Sequence, residues 1–448
     1  VQFDFYPEAN GTSPITFTPS GQLAAGASNS VAVGSVSGVN PGFKGSAVLS
    51  ANQPVVATIV QYNDAPATTG ITNRLLSNGF TPADASNRQL VPTVLKNTFN
   101  ATTYFSVQNV ESTAVNLTVR FYRAGETTAA HTETFNNLAP NAAKYFDAGQ
   151  IAALGTAFNG SAVVEGTGRT VVTVNELDTG TRNGGKSFEG TAKQGAQIYM
   201  PSALCKAFAN AQFPQGQTSF YAVQNAALTG DPVEFRVVFQ SGTQTFTTPN
   251  TVVSPGGKAS VDACATMPAG GNGSAIIEVV KGSATLVAVG KVQGNGISSA
   301  FLGQTAGASR LAGPYVRWAK DQYYNNGQRF RSFLAIQNVG TAAAQNVRVR
   351  YINKDGQTVG THTIGTVAAG AKVSSTPALG NALDSCGRFG EYGTGASDPC
   401  LGNQYGGGVI IEADGGASLT AVVRTALGGA QAAGEDYTAL SIPNATQQ

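Results

Sequence analysis

Charge is scarce in this chain, and so are the residues that carry acid–base and metal chemistry. Only 12% of the 448 residues are Asp, Glu, Lys or Arg, with two His, four Cys, two Met and one Trp. The formal net charge is +2 and no basic cluster stands out, so nothing resembles the Lys/Arg stripe that neutralises phosphates, and nucleic acid is not an expected partner. No apolar run approaches the roughly 20 residues of a membrane-spanning helix. The longest runs, such as Ala275 to Val280, are strand-sized, so no membrane span is expected. No leader and no initial Met precede Val1, which reads as a processed or trimmed end.

The four cysteines are Cys205, Cys264, Cys386 and Cys400, none of them in a Cys-x-x-Cys pair, which argues against zinc and thioredoxin-like chemistry. An even count in a Ser/Thr/Asn-rich chain favours disulfides and an oxidising compartment. Of the three possible pairings, Cys205–Cys264 and Cys386–Cys400 keep each bridge within one repeat. Four reduced, buried thiols are the alternative.

What is abundant is Gly, Ala, Ser, Thr, Val and Asn, arranged periodically. Val107-Gln108-Asn109 returns as Val223-Gln224-Asn225 and Ile336-Gln337-Asn338, with the Gln residues 116 and 113 apart. Gly45-Ser46-Ala47 returns at Gly160-Ser161-Ala162 and Gly273-Ser274-Ala275, 115 and 113 apart, and in degenerate form at Gly407-Gly408-Val409. Two independent markers with one period identify an internal repeat.

Within each copy the apolar residues alternate. Leu117, Val119 and Phe121 interleave with Thr118 and Arg120. Phe235, Val237 and Phe239, then Val347, Val349 and Tyr351, follow suit, as do Val1, Phe3 and Phe5 at the start. Period-two alternation predicts strands with one buried face. Ala139-Pro140-Asn141, Ser254-Pro255-Gly256, Ala368-Ala369-Gly370 and Ala24-Ala25-Gly26 predict turns that need positive φ at the Asn or Gly. Pro92, Pro201 and Pro314 each fall in an opening strand and suit an edge position. About seven strands in some 100 residues is the pattern of an Ig-like sandwich. The expectation is an all-β, tandem array of Ig-like antiparallel β-sandwich domains at 89–178, 197–293 and 309–427. Residues 1–63 form an incomplete sandwich lacking its first strands. Cys386 and Cys400 pin an insertion at 384–406 in the fourth domain, and Gly-rich connectors such as Thr179 to Gly185 and Gly294 to Gly307 join the domains into a rod.

The ends read as complementary. Asp436 to Gln448, with Tyr437, Leu440, Ile442 and Pro443, looks like a spare opening strand, while the segment carrying Val1, Phe3 and Phe5 lacks one. Donation of the 436–448 tail to the next subunit's first domain would polymerise the chain head to tail. The tail supplies only one of two absent strands, and a fragment of a longer periodic chain is the plain alternative.

Catalytic constellations are missing from the pattern. His131-Thr132 and His362-Thr363 occupy equivalent repeat positions, and Glu165, Glu278 and Glu412 recur in the strand after Gly-Ser-Ala, which is repeat patterning rather than an acid–base pair. No enzyme, metal or cofactor is expected. The best ligand-contact candidate is the aromatic cluster Trp318, Tyr323 and Tyr324, which suits a glycan or another surface protein.

The "VQN" strand, the "VRFY"-type strand, the "LAPN" or "SPGG" turn and the "GSAVV" strand together resemble bacterial cell-surface repeats, tandem β-sandwich domains of long secreted proteins. The resemblance spans nearly the whole chain. It implies an extracellular or cell-surface structural role and carries over no catalytic residue. The expected function is a structural subunit of an extracellular filament, pilus-like fibre or surface assembly. The alternative is an adhesin or glycan-binding stalk.

Overall fold

The structure, a computed structural model, describes residues 1–8, 13–62, 74–178, 184–209, 214–294, 297–320, 329–383, 385–386, 405–427 and 434–443. Among these residues the fold is all-β, with several antiparallel sheets and three single 3-10 turns.

Strands fall into four units that follow the sequence period. The first holds β1 (Gln2–Pro7), β2 (Ile15–Phe17), β3 (Gly45–Ser50), β4 (Thr58–Tyr62) and β5 (Arg74–Asn78). The second holds β6 (Ser86–Lys96), β7 (Ala101–Asn109), β8 (Val115–Arg123), β9 (Ala129–Leu138), β10 (Ala143–Asp147), β11 (Phe158–Asp178) and β12 (Gly185–Glu189). The third holds β13 (Gln197–Cys205), β14 (Thr218–Asn225), β15 (Val233–Ser241), β16 (Gln244–Thr247), β17 (Thr251–Val253), β18 (Lys258–Asp262), β19 (Gly271–Lys281), β20 (Leu286–Gly294) and β21 (Ile297–Leu302). The fourth holds β22 (Arg310–Lys320), β23 (Arg329–Asn338), β24 (Ala344–Asn353), β25 (Thr358–Val367), β26 (Lys372–Ser375), β27 (Ser385–Cys386), β28 (Tyr405–Glu412), β29 (Leu419–Leu427), β30 (Gly434–Thr438) and β31 (Leu440–Ser441).

One sandwich-like arrangement recurs. In the third unit, one layer runs β13-β19-β15-β16 and the other β18-β14-β20-β21. The second unit has the same order, with the 21-residue β11 long enough to serve both layers. In the fourth, β22 also pairs with β23 and fuses the layers into one sheet. The alternating residues face inward as their period requires: Leu117, Val119 and Phe121 are buried, as are Val237 and Phe239, and Val347, Val349 and Tyr351. The turns also meet expectation, with Asn141, Gly256, Gly370 and Gly26 at φ of 59°, 68°, 75° and 75°.

Proline shapes the opening strands. The ladder between β6 and β11 slips at Gly160/Ala162, that of β13 at Met200/Ala203 and that of β22 at Gly313/Val316. Pro92, Pro201 and Pro314 sit at these slips. Proline has no N–H to give the ladder, so the strand bulges there.

Two expectations about organisation differ from what is observed. One of the named connectors carries a strand. Gly294 to Gly307 contains β21, whose Ile297, Ala300 and Phe301 are buried. The units therefore do not string out as a rod. β5 packs on β12, β12 on β21, β21 on β30, and β30 back on β5, closing a ring of four. Each hub strand is the second arm of a hairpin from its own unit, with β4, β11, β20 or β29 as the first arm. The second difference concerns the tail. Tyr437 belongs to hub strand β30, and Leu440 in β31 pairs with Ala312 of β22. These residues complete the fourth unit of their own chain.

Candidate functional site

The recurring sequence markers converge on the boundaries between units. The serine of each Gly-Ser-Ala reaches forward. Ser46 Oγ donates to the Asn141 carbonyl (2.5 Å), Ser161 Oγ to that of Gly256 (2.7 Å) and Ser274 Oγ to that of Gly370 (3.2 Å). The glutamine of each Val-Gln-Asn reaches back. Gln224 Nε2 donates to the Ala162 carbonyl of the preceding unit and to the Gly256 carbonyl of its own turn, both at 3.1 Å, and Gln108 Nε2 to Ala47 of the preceding unit at 3.5 Å and to its own Asn141 at 3.1 Å. Gln337 Nε2 meets the Ala275 carbonyl at 3.5 Å. The asparagine clasps its own unit. Asn109, Asn225 and Asn338 donate to Leu138, Val253 and Val367, the residues three before each turn's positive-φ position. Ser161, Ser274, Gln224, Gln337 and the three asparagines are buried, which shields their hydrogen bonds from water, whereas Ser46 and Gln108 are only partly buried.

Beneath these stitches, between the second and third units, lies a buried ionic cluster. Glu176 takes Lys186 Nζ at 2.9 Å and Lys291 Nζ at 2.6 Å. Burial alone would push its carboxyl up, but the two ammonium groups outweigh it and hold it at about 2. Lys258 Nζ bonds Asn159 Oδ1 at 2.6 Å, and burial together with the neighbouring Lys291 brings its ammonium down to about 7, against the pull of Glu176. Nearer the first unit, Glu189 Oε1 accepts the Asn78 N–H. Burial pushes this carboxyl up to about 7, Asp84 adds to the rise, and the hydrogen bond opposes it. On the fourth unit, Arg424 Nη2 meets Asp436 at 2.6 Å and Ser202 of the third at 3.4 Å.

The fourth boundary, which closes the ring, is built differently. Gly408 stands where the other units have serine, so no hydroxyl bridges forward. Backbone does the joining: Ser28 N–H donates to the Lys354 carbonyl at 2.9 Å, and Gly26 lies against Gly356. A Cβ on Gly356, at φ +87°, would stand 2.4 Å from the Ala25 carbonyl. At the hub, Asn78 Nδ2 donates to the Thr438 carbonyl at 2.9 Å, and Leu76 enters the fourth unit's core.

The other expected site residues are placed as follows. Cys205 and Cys264 are disulfide-bonded. Cys400 and the side chain of Cys386 lie outside the described residues, as do Tyr323 and Tyr324. Trp318 packs edge-to-face on Phe333 with the Arg331 guanidinium 5.6 Å from its ring. Val1 is exposed, while Phe3 and Phe5 stack at 6.3 Å in the first unit's small core. Tyr437 Oη donates to the Tyr315 carbonyl at 2.8 Å, Ile442 N–H donates to the Arg310 carbonyl, and the Pro443 carbonyl accepts from Arg310 Nη1. His131 stacks on Phe121, and His362 bonds Ser375. The recurring glutamates pair across strands, Glu165 with Arg120, Glu278 with Arg236, and Glu412 with Arg348 and Arg350.

No group of three or more His, Cys, Asp or Glu that could hold a metal occurs among the described residues, and no helix there is long and apolar enough to cross a membrane. An open cleft of about 460 Å³, lined by Ser86, Arg88, Glu165 and Gln194, is polar. No protein-family model matches the chain, and no curated protein matches it.

Sequence reasoning passed over the ionic cluster, although one signal was there. Lys144, Lys258 and Lys372 stand 114 residues apart, and the last two bond Asn159 and Asn272 of the preceding unit. It also passed over Phe99 and Phe208, which are 71% and 56% exposed at hairpin tips with φ of 54° and 60°.

Proposed function

We propose that the chain is a structural subunit of an extracellular filament or surface assembly, made of tandem Ig-like sandwich units and carrying no catalytic site. One observation supports this most. The serine and glutamine side chains that recur with the repeat are engaged in joining one unit to the next. A disulfide in a chain poor in charge suits an oxidising, secreted setting. The expected partner is another copy or another surface protein of the same type. Growth by donation of the 436–448 tail would first have to free Tyr437 and Leu440 from the fourth unit, so the joining surface is better sought at the first unit. Light scattering after size exclusion, followed by electron microscopy over a concentration series, tests the reading. Concentration-dependent polymers are expected, and a strict monomer throughout would sink it.

A second reading, adhesion to glycans, draws on Phe99 and Phe208. A bulky residue at positive φ is strained, and strain of this kind gathers at contact sites. Exposed aromatic faces can stack on sugar rings. Loss of glycan-array signal in Phe99→Ala and Phe208→Ala would favour this reading over the first.

A further inference from the structure

Among the described residues, the strands of the first unit lack neighbours that the later units have. In the later units the strand after Gly-Ser-Ala has a neighbour on each side: β6 and β8 flank β11, β13 and β15 flank β19, and β22 and β24 flank β28. Among the described residues, β3 has β1 alone. In the second layer β7 lies against β11, β14 against β20 and β23 against β29, whereas among the described residues β4 has only β5.

Burial follows the pairing. The N–H groups of Gly79, Gly190, Gly303 and Ala439 bond the carbonyls of Ala57, Val172, Ala288 and Ala421, which sets the four hub hairpins in one register. Ile59 then occupies the place of Val174 and Val423. Those two are 0% exposed and Ile59 is 46%. Leu23, three residues before Gly26, occupies the place of Leu138 before Asn141. Leu138 is 0% exposed and Leu23 is 42%. The two pieces of the first unit are held by neighbouring units instead. β3 is bonded to the second unit through Ser46 and through Tyr145 Oη, which donates to the Gly45 carbonyl, while β5 sits in the hub.

We propose that the edges of β3 and β4 form an acceptor groove for a two-stranded segment, supplied in trans by a polypeptide carrying the same repeat. The later units display that occupant three times: an apolar strand bulged at proline, a turn, and a strand ending in Gln-Asn. Main-chain pairing with β3 and β4 would supply affinity, and side chains the specificity. The incoming Gln would reach the Val409 and Gly26 carbonyls, as Gln224 reaches Ala162 and Gly256. The incoming Asn would clasp the Leu23 carbonyl, as Asn225 clasps Val253. Ile59 and Leu23 would be covered. This deepens the assembly role proposed above and rests on it.

The probe is a labelled peptide of residues 86–109, titrated onto the intact chain. Saturable one-to-one binding is expected, with new hydrogen-exchange protection at residues 45–50 and 58–62. Ile59→Asp in the chain should weaken binding by about tenfold or more, since it places a charge where an apolar side chain would be buried. Ile59 is half exposed, so the melting temperature should hold, and Leu23→Asp provides a second variant should that one misfold. A peptide carrying Gln108→Ala and Asn109→Ala should bind more weakly. Absence of saturable binding, or binding indifferent to both chain variants, overturns the proposal. A chain that binds the peptide but never polymerises would refute the filament and leave the groove standing.

Discussion

Replacing Glu176 by Gln removes the single carboxylate that two buried lysines share and changes little else in size. The carboxylate is 1% exposed, with Lys186 Nζ at 2.9 Å and Lys291 Nζ at 2.6 Å. Its carboxyl is held at about 2 against an ordinary 4.5, a difference that corresponds to roughly 3 kcal/mol of stability. Removing one partner from a buried pair costs about 3–5 kcal/mol by a separate line of experience. The two figures agree, so Glu176→Gln should destabilise the chain by about 3–4 kcal/mol at pH 7. The pH dependence carries a sign. Because the folded value is depressed, the contribution is fully present above 4.5 and is lost as pH falls towards 2, so the gap between wild type and variant should close over that interval. Urea denaturation followed by circular dichroism, repeated from pH 7 to pH 2.5, measures it. Lys291 belongs to the third unit and Glu176 to the second, so hydrogen exchange in β12 and β20 should accelerate before that in β24. A loss below about 1 kcal/mol, or one that does not vary with pH, would show that the cluster contributes little to holding the units together.

Reduction of Cys205–Cys264, 59 residues apart, should cost about 4 kcal/mol in the chain-entropy account, read as a shift in denaturation midpoint with and without reductant. Glu189, raised to about 7, is protonated more tightly in the folded chain, so it makes stability fall as pH rises from 4.5 to 7. Glu189→Gln should flatten that slope, worth about 3 kcal/mol, in melting curves across the interval. Gly356→Ala should expose the segment around Gly26 to limited proteolysis. Gly416→Ala, also at positive φ but with open space around it, should lower stability by only about 1 kcal/mol and leave the digestion pattern unchanged.

The strands and their turns were legible because each depends on local chemistry. Alternation placed Val119 and Phe121 inward, and the dipeptides Pro140-Asn141 and Pro255-Gly256 marked the positive-φ positions. The ring was not legible. A repeat announces that its copies are alike but not the angle at which one meets the next. That angle is set by Ser161, Gln224 and the hub strands together. Two cues went unread. A buried Gln that its own sheet does not need, recurring in each copy, points to a neighbour. Likewise Phe188, Phe301 and Tyr437 recur at one place in the repeat, although Phe301 fell in a stretch read as a Gly-rich connector and Tyr437 in one read as a donor strand, and each proves to be a core residue of a hub strand. The ionic cluster was hidden for a related reason: Glu176 and Lys291 are 115 residues apart and meet only once the second and third units have packed together.

Closure of the hub, from β5 through β12 and β21 to β30 and back, also fixes a number. An open array of sandwiches can gain or lose a member by duplication or deletion with little consequence for the rest. Here each hub strand packs on the next and the last packs on the first, so a unit cannot be added or removed without breaking a hub contact. Copy number is thus a geometric property of this chain, set by the closure of its hub and not by the sequence of any one unit.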